Sequence, residues 1–195
     1  MKYLVISQPK AGTYLSANLL EEMGLIWTKL HFADNSVRSF QDINISEARM
    51  NNTHKTINRS LPDSLNLIPD GGFAVSHMKH SVEIEKKLSN VKKILLVRNF
   101  DETYESTKTF LKETNRKFSL NNLQSMHDAV IPWKNCSDVF FMQFDDMINK
   151  NVIVLDKLQY FLFNELRVDS LQTIKSALNK DSITKSNKRR EDKHE

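Results

Sequence analysis

Three short segments of the 195-residue chain carry side chains suited to gripping an anion and moving a proton. The first is Ser7-Gln8-Pro9-Lys10-Ala11-Gly12-Thr13, set between an apolar run, Tyr3 to Ile6, and a stretch with Leu15, Leu19, Leu20 and Met23 at helical spacing. A strand that turns straight into a helix aims free backbone N–H groups and the positive helix end at one spot, which favours a phosphate. Lys10 adds a full charge, Thr13 a hydroxyl, and Gly12 a backbone that a ligand can approach closely. The loop is not a Walker A motif. Thr13 stands where that motif has Lys, and Tyr14 where it has Ser or Thr, so the Mg-binding hydroxyl is missing. The same residues also suit an ordinary strand–turn–helix with an exposed Lys.

The second segment is Ser76-His77-Met78-Lys79-His80, after the short apolar run Phe73 to Val75. A His at a strand end is the side chain most readily used as a general base near neutral pH. His77 and His80 also suggest a metal pair, but no Asp, Glu or Cys nearby completes such a site, so no metal is expected there. The third segment is Arg98-Asn99-Phe100-Asp101, directly after Ile94 to Val97, with Ser106 eight residues beyond Arg98. An Arg there can fork onto a phosphate. It can equally pair with Asp101 or Glu102.

The elements that must position these residues follow from periodicity. Besides the runs already named, Leu25 to Leu30 and Val139 to Met142 read as strands. Helices are expected over Thr13 to Met23 (closed by Gly24), Ser81 to Leu88, Asp101 to Lys112 and Asn121 to Val130, the last ended by Pro132. Two more carry Leu155, Leu158, Leu162 and Leu166, and then Leu171, Ile174 and Leu178. The polar stretch Ala33 to Pro69 reads as helix pieces and loops. Apolar strands alternating with helices predict a three-layer α/β/α domain with a central parallel sheet, over residues 1–183, followed by a polar basic tail, 184–195. In such sheets ligands bind at the carboxyl ends of the strands, which is where all three segments fall.

Composition sets the bounds. With 39% hydrophobic and 27% charged residues the chain is long enough for one core. Lys and Arg exceed Asp and Glu by 28 to 24, too small a surplus to indicate a nucleic-acid partner. One cysteine, Cys136, excludes an intrachain disulfide. No apolar run is long enough for a signal peptide or a membrane span, so a cytoplasmic setting is expected.

Taken together, the segments resemble those of sulfotransferases that use 3′-phosphoadenosine 5′-phosphosulfate (PAPS). Pro9-Lys10-Ala11-Gly12-Thr13 is similar to that family's PKxGT loop. Ser76-His77-Met78 resembles its Thr-His-Leu segment with the catalytic His, and Arg98-Asn99 with Ser106 its 3′-phosphate motif. Phe144-Asp145-Asp146-Met147 resembles its Tyr-Glu-Asp-Leu/Met segment, and Ser182-Ile183-Thr184-Lys185 more weakly its later Ser-Phe segment. The likeness runs from Tyr3 to Lys185. It implies a P-loop-like nucleotide-binding fold and transfer of a sulfuryl group from PAPS to a hydroxyl or amine, leaving PAP. Lys10 would stabilise the leaving phosphate and His77 would act as base. Lys10, Ala11, Gly12, Thr13 and Tyr14 would hold the 5′-phosphosulfate, and Arg98 and Ser106 the 3′-phosphate. No metal is needed on this reading, and the partner would be a small-molecule or glycan acceptor.

Departures from the family pattern are Ala11 for Ser, Tyr14 for Thr or Ser, Lys79 for Pro and Val75 for the second Lys of some members. The family's Arg-Lys-Gly…Gly-Asp-Trp segment has no counterpart; Lys188, Arg189 and Arg190 either replace its charge or form a solvated tail. Phe40, Phe118, Met126 and Trp133 are candidate acceptor-lining residues, being large and apolar within polar stretches. Two other readings stay open: a non-catalytic nucleotide-binding or interaction module on the same fold, and a P-loop kinase.

Overall fold

The computed structural model describes residues 1–43, 45, 53–114 and 119–180. Its core is a seven-stranded sheet in the order β4-β3-β2-β5-β1-β6-β7. The strands are β1 (Lys2–Ser7), β2 (Ile26–Ala33), β3 (Ser36–Ser39), β4 (Lys55–Asn58), β5 (Gly72–Ser76), β6 (Val91–Val97) and β7 (Val139–Gln143). The five strands β2, β5, β1, β6 and β7 are parallel to their neighbours. β3 and β4 extend β2 as an antiparallel meander, so the sheet is mixed.

That meander lies in the stretch expected to hold only helix pieces and loops. Ser36-Val37-Arg38-Ser39 and Lys55-Thr56-Ile57-Asn58 each carry one apolar residue, and the two sit opposite each other across the pair. Four-residue strands with a single apolar position leave almost no alternation to read.

In the central strands alternation sends neighbours to opposite faces. Tyr3, Val5, Phe73, Val75, Ile94 and Leu96 face one cluster; Leu4, Ile6, Ala74 and Leu95 face the other. The first face is covered by α1 (Thr13–Glu22), α7 (Val152–Phe163) and α8 (Ser170–Asn179), through Leu15, Leu19, Leu155, Leu158, Ile174 and Ala177. The second is covered by α2 (Leu61–Leu65), by Leu88 after α3 (Val82–Lys87), and by Val130 and Trp133. The three-layer α/β/α arrangement is therefore present. The remaining helices are α4 (Phe100–Thr114), α5 (Leu120–Val130), which carries Val130 onto the second face, and the short α6 (Phe144–Ile148), which adds Phe144 and Met147 to the first.

Local signals set most helix ends. The Ser81 hydroxyl accepts from the Ile84 N–H and caps α3, as expected. At α4 the cap is Asn99, whose Oδ1 accepts from the N–H groups of Asp101 and Glu102 at 2.9 and 3.4 Å. Pro132 does stop α5 as an α-helix, but the chain continues as a 3₁₀ helix over Ile131–Asn135, with the proline at its start, where no N–H is needed. Leu166 falls beyond α7 and is half exposed, because Asn164 ends that helix in a left-handed conformation. Among the described residues no helix is long and apolar enough to cross a membrane.

Candidate active site

β1 lies mid-sheet between β5 and β6. The connection leaving β1 leads to β2 on one side, and the one leaving β6 leads to β7 on the other. A crevice forms at the strand ends where such connections diverge. All three chemistry-bearing segments open into that region, and two residues that the sequence did not single out, Ser7 and Gln8, tie them together.

Ser7, fully buried at the end of β1, joins the first segment to the second. Its hydroxyl lies 2.7 Å from the Thr13 hydroxyl and 3.3 Å from His77 Nδ1. Its carbonyl lies 2.8 Å from the same Nδ1. A carbonyl oxygen only accepts, so Nδ1 carries the proton and donates. In the neutral imidazole the basic lone pair is then on Nε2. The His77 ring meets the edge of His31 on β2, with centroids 4.6 Å apart. His31 is buried and was not foreseen, because the expected second strand stopped one residue short of it.

Gln8, also fully buried, joins the first segment to the third. Its Oε1 accepts from the Arg98 N–H at 3.1 Å. That bond fixes the amide orientation and leaves Nε2 as a buried donor with no hydrogen-bond partner. The Arg98 guanidinium also donates from Nη1 to the Lys10 carbonyl at 3.3 Å.

Around this frame the loop backbone is bent sharply. Lys10 and Gly12 both have positive φ, 64° and 91°. The Ala11 N–H donates back to the Gln8 carbonyl at 3.2 Å, so it serves the turn. Gly12 is the N-cap of α1 and brings no side chain, so the first-turn N–H groups have no side-chain cap. Tyr14 leaves the loop altogether. Its ring joins Trp27 and Phe40 at 5.9 and 6.3 Å, in a cluster that extends to His54.

The glycine at 12 has a second reason besides its backbone. A Cβ there would come within 2.5 Å of the Phe144 ring, the residue that opens α6. The space first expected to bring a ligand close to the backbone is filled by this ring. Arg98 stands over the same ring, its Cζ 4.3 Å from the centroid. Gly12 and Arg98 thus meet at the Phe144 ring. Gly12→Ala is expected to cost about 2–5 kcal/mol, from the left-handed backbone and the overpacking together. Chemical denaturation of Gly12→Ala and Gly24→Ala separates the two causes. Gly24 has a similar φ of 95° but open space, so its variant is expected to lose only about 1–2 kcal/mol.

Two charged groups are engaged with the protein itself. Arg98, only 8% exposed, donates from Nε to Glu102 Oε2 at 2.8 Å, the ion pair that the sequence left open. Lys10 Nζ sits 3.9 Å above the centre of the Phe110 ring on α4, a cation–π contact. Ser106, half-buried, lies one turn beyond Glu102 on α4. Next to Arg98, at the ends of β6 and β7, is a cleft of about 350 Å³ lined by Arg98, Asn99, Phe100, His127, Gln143 and Phe144.

Of the acceptor-lining candidates, Trp133 is core: it is fully buried and its Nε1 donates to the Met78 carbonyl at 3.0 Å. Phe40 is buried in the Tyr14 cluster and Met126 is half-buried on α5. Phe118, Ser182 to Lys185, and Lys188, Arg189 and Arg190 lie outside the described residues.

Comparison with solved structures decides the fold. The crystal structure of mouse sulfotransferase SULT7A1 complexed with PAP superposes with a TM-score of 0.56 over 95% of this chain and 66% of that one, at 17% sequence identity. The chain has the sulfotransferase fold. It spans about two thirds of the length of that mouse protein. No protein-family model matches the chain, and neither does any curated protein.

Proposed function

We propose that this sulfotransferase-fold chain transfers a sulfuryl group from PAPS to a hydroxyl or amine of a small-molecule or glycan acceptor. The observation that carries the reading is the hydrogen-bonded frame of Ser7 and Gln8. It ties the loop around Lys10, the His77 ring and Arg98 into one group at the strand ends. The fold shared with a PAP-bound sulfotransferase supports it.

The residues fit an anionic nucleotide. The start of α1, where Gly12 brings no side-chain cap, would turn the positive helix end toward a 5′-phosphate. Arg98 and Ser106 would hold a 3′-phosphate, the group that distinguishes PAPS from ATP. The side chains of Ala11 and Tyr14 add no contact to the 5′-phosphate, since one is a methyl and the other is packed among aromatics, and the Ala11 N–H serves the turn. Bound PAPS supplies an activated sulfuryl group that moves in line between two oxygens, so the protein's share is positioning and charge stabilisation. Lys10 would leave Phe110 to meet charge growing on the leaving phosphate. His77 Nε2 would take the acceptor's proton. Residues 1–183 would form this domain and 184–195 its tail.

On this reading Glu102 and the 3′-phosphate compete for Arg98, which fixes the expected results of a PAP titration. Calorimetry or thermal shift should show PAP binding to the wild type without metal. Arg98→Ala should weaken it roughly 30-fold or more, the cost of truncating one partner of a buried charge pair. Glu102→Gln should tighten it about 2–10-fold by releasing the guanidinium. Stabilisation by Mg-ATP or Mg-GTP with indifference to PAP would overturn the proposal in favour of a kinase-like site. PAP binding without turnover of PAPS across phenols, sugars and amines would leave a binding module instead.

A further inference from the structure

A second cluster of chemically capable side chains lies behind the loop that carries His77. His80 ends that loop, Glu85 sits on α3, and Cys136 follows the 3₁₀ helix after α5. One ligand atom from each lies within 4.8 Å of the other two. His80 Nε2 and Glu85 Oε2 are 3.1 Å apart, close to the edge of a tetrahedral coordination shell. The three donors come from separate elements, and Cys136 lies 51 residues beyond Glu85. Glu85 stands only five residues beyond His80, so the carboxylate was within reach of a local reading, whereas Cys136 joins the pair only through the fold.

Besides their contacts with one another, the donors are held in place by the elements around them. Ser81 caps α3 and so fixes the step from His80 to Glu85. The His80 ring meets the Trp133 ring edge-on at 4.9 Å, and its backbone N–H donates to the Ala129 carbonyl at 2.8 Å. The Cys136 N–H donates to the Trp133 carbonyl at 3.2 Å. Trp133, fully buried, anchors both sides of the cluster.

The charges nearby suit a divalent ion. Lys93 is 2% exposed, donates to the Leu88 carbonyl at 3.2 Å, and interacts electrostatically with Asp138, Cys136 and Glu85. Burial and the neighbouring Glu85 carboxylate push the Cys136 thiol up, so it is the bound cation that would hold it as thiolate. The donor set selects the ion. A thiolate, an imidazole and one carboxylate suit a borderline-soft metal, whereas Mg²⁺ and Ca²⁺ require oxygen shells.

We infer that His80, Glu85 and Cys136 form a three-ligand site for a zinc-type divalent cation, with a fourth position open to water. Bound there, the ion clips the end of the His77 loop to α3 and to the 3₁₀ helix. The site does not depend on the sulfuryl-transfer reading and stands or falls separately from it.

Cobalt(II) provides the test, because a thiolate-to-cobalt charge-transfer band in the near ultraviolet reports Cys136 alone in a chain with one cysteine. The reduced, metal-free full chain is titrated with Co²⁺. The expected result is a band that saturates at one ion per chain and is bleached by added Zn²⁺. Cys136→Ser should abolish the band. His80→Ala and the conservative Glu85→Gln should each weaken Co²⁺ binding roughly 10-fold or more. Saturating Zn²⁺ should raise the melting temperature of the wild type and not that of Cys136→Ser. Cobalt binding without the charge-transfer band overturns the site, as does a band of unchanged affinity in both His80→Ala and Glu85→Gln. One ion shared between two chains also overturns it.

Discussion

Replacing His77 by Ala is expected to lower PAPS turnover by roughly 10²–10⁴, the contribution of a positioned general base. PAP affinity should hardly change, because His77 is bonded to the loop frame and makes no part of the proposed phosphate grip. The geometry says which nitrogen matters. Nδ1 is committed to the Ser7 carbonyl at 2.8 Å, so the proton must be taken by Nε2. His77→Asn tests that assignment. Its amide nitrogen can replace Nδ1 toward Ser7, yet it has no basic nitrogen where Nε2 stood. Turnover should therefore fall as far as in His77→Ala while the fold is kept. If PAP binds and His77→Ala turns over at the wild-type rate, His77 is not the base.

Lys10→Met is expected to cost roughly 10²–10³ in turnover, the loss of one donor aimed at developing charge. Methionine keeps most of the stem and removes only the cation. The effect should fall on turnover more than on PAP affinity, because the charge Lys10 meets grows on the leaving phosphate only as the bond breaks. In the structure the ammonium rests over Phe110, 3.9 Å from the ring centre. Phe110→Leu removes that resting place but not the charge, so it should change turnover by no more than about tenfold. Single-turnover rates with each variant, compared with PAP affinities, separate the two roles. Equal turnover in wild type and Lys10→Met would remove Lys10 from the chemistry.

Much of the architecture was legible because it is written locally. The apolar runs Tyr3–Ile6 and Ile94–Val97 can only be buried strands, and burial on both faces explains why they show no alternation of polarity. Ser81 marks its helix start through a hydrogen bond three residues long. The three chemistry-bearing segments were found because each directly follows a strand, and a parallel sheet gathers such ends on one edge. Their spacing and the likeness to PAPS-dependent sulfotransferases pointed to the fold that the structural comparison then bore out.

What the sequence alone determined, then, is the strand–helix alternation and the residues delivered to the sheet's carboxyl edge. Tertiary structure alone decided which of those residues meet. Gln8 reaches Arg98 across 90 positions, and Ser7 reaches His77 across 70. Phe144 fills the space over Gly12, Tyr14 turns away into an aromatic cluster, and Glu102 takes the Arg98 guanidinium. Cys136 joins His80 and Glu85 from a distant segment. The physical reason is one of range. Periodicity, caps and turns act over a few residues along the chain. A hydrogen bond or a ring contact depends on where the packed layers place two side chains, whatever the length of chain between them.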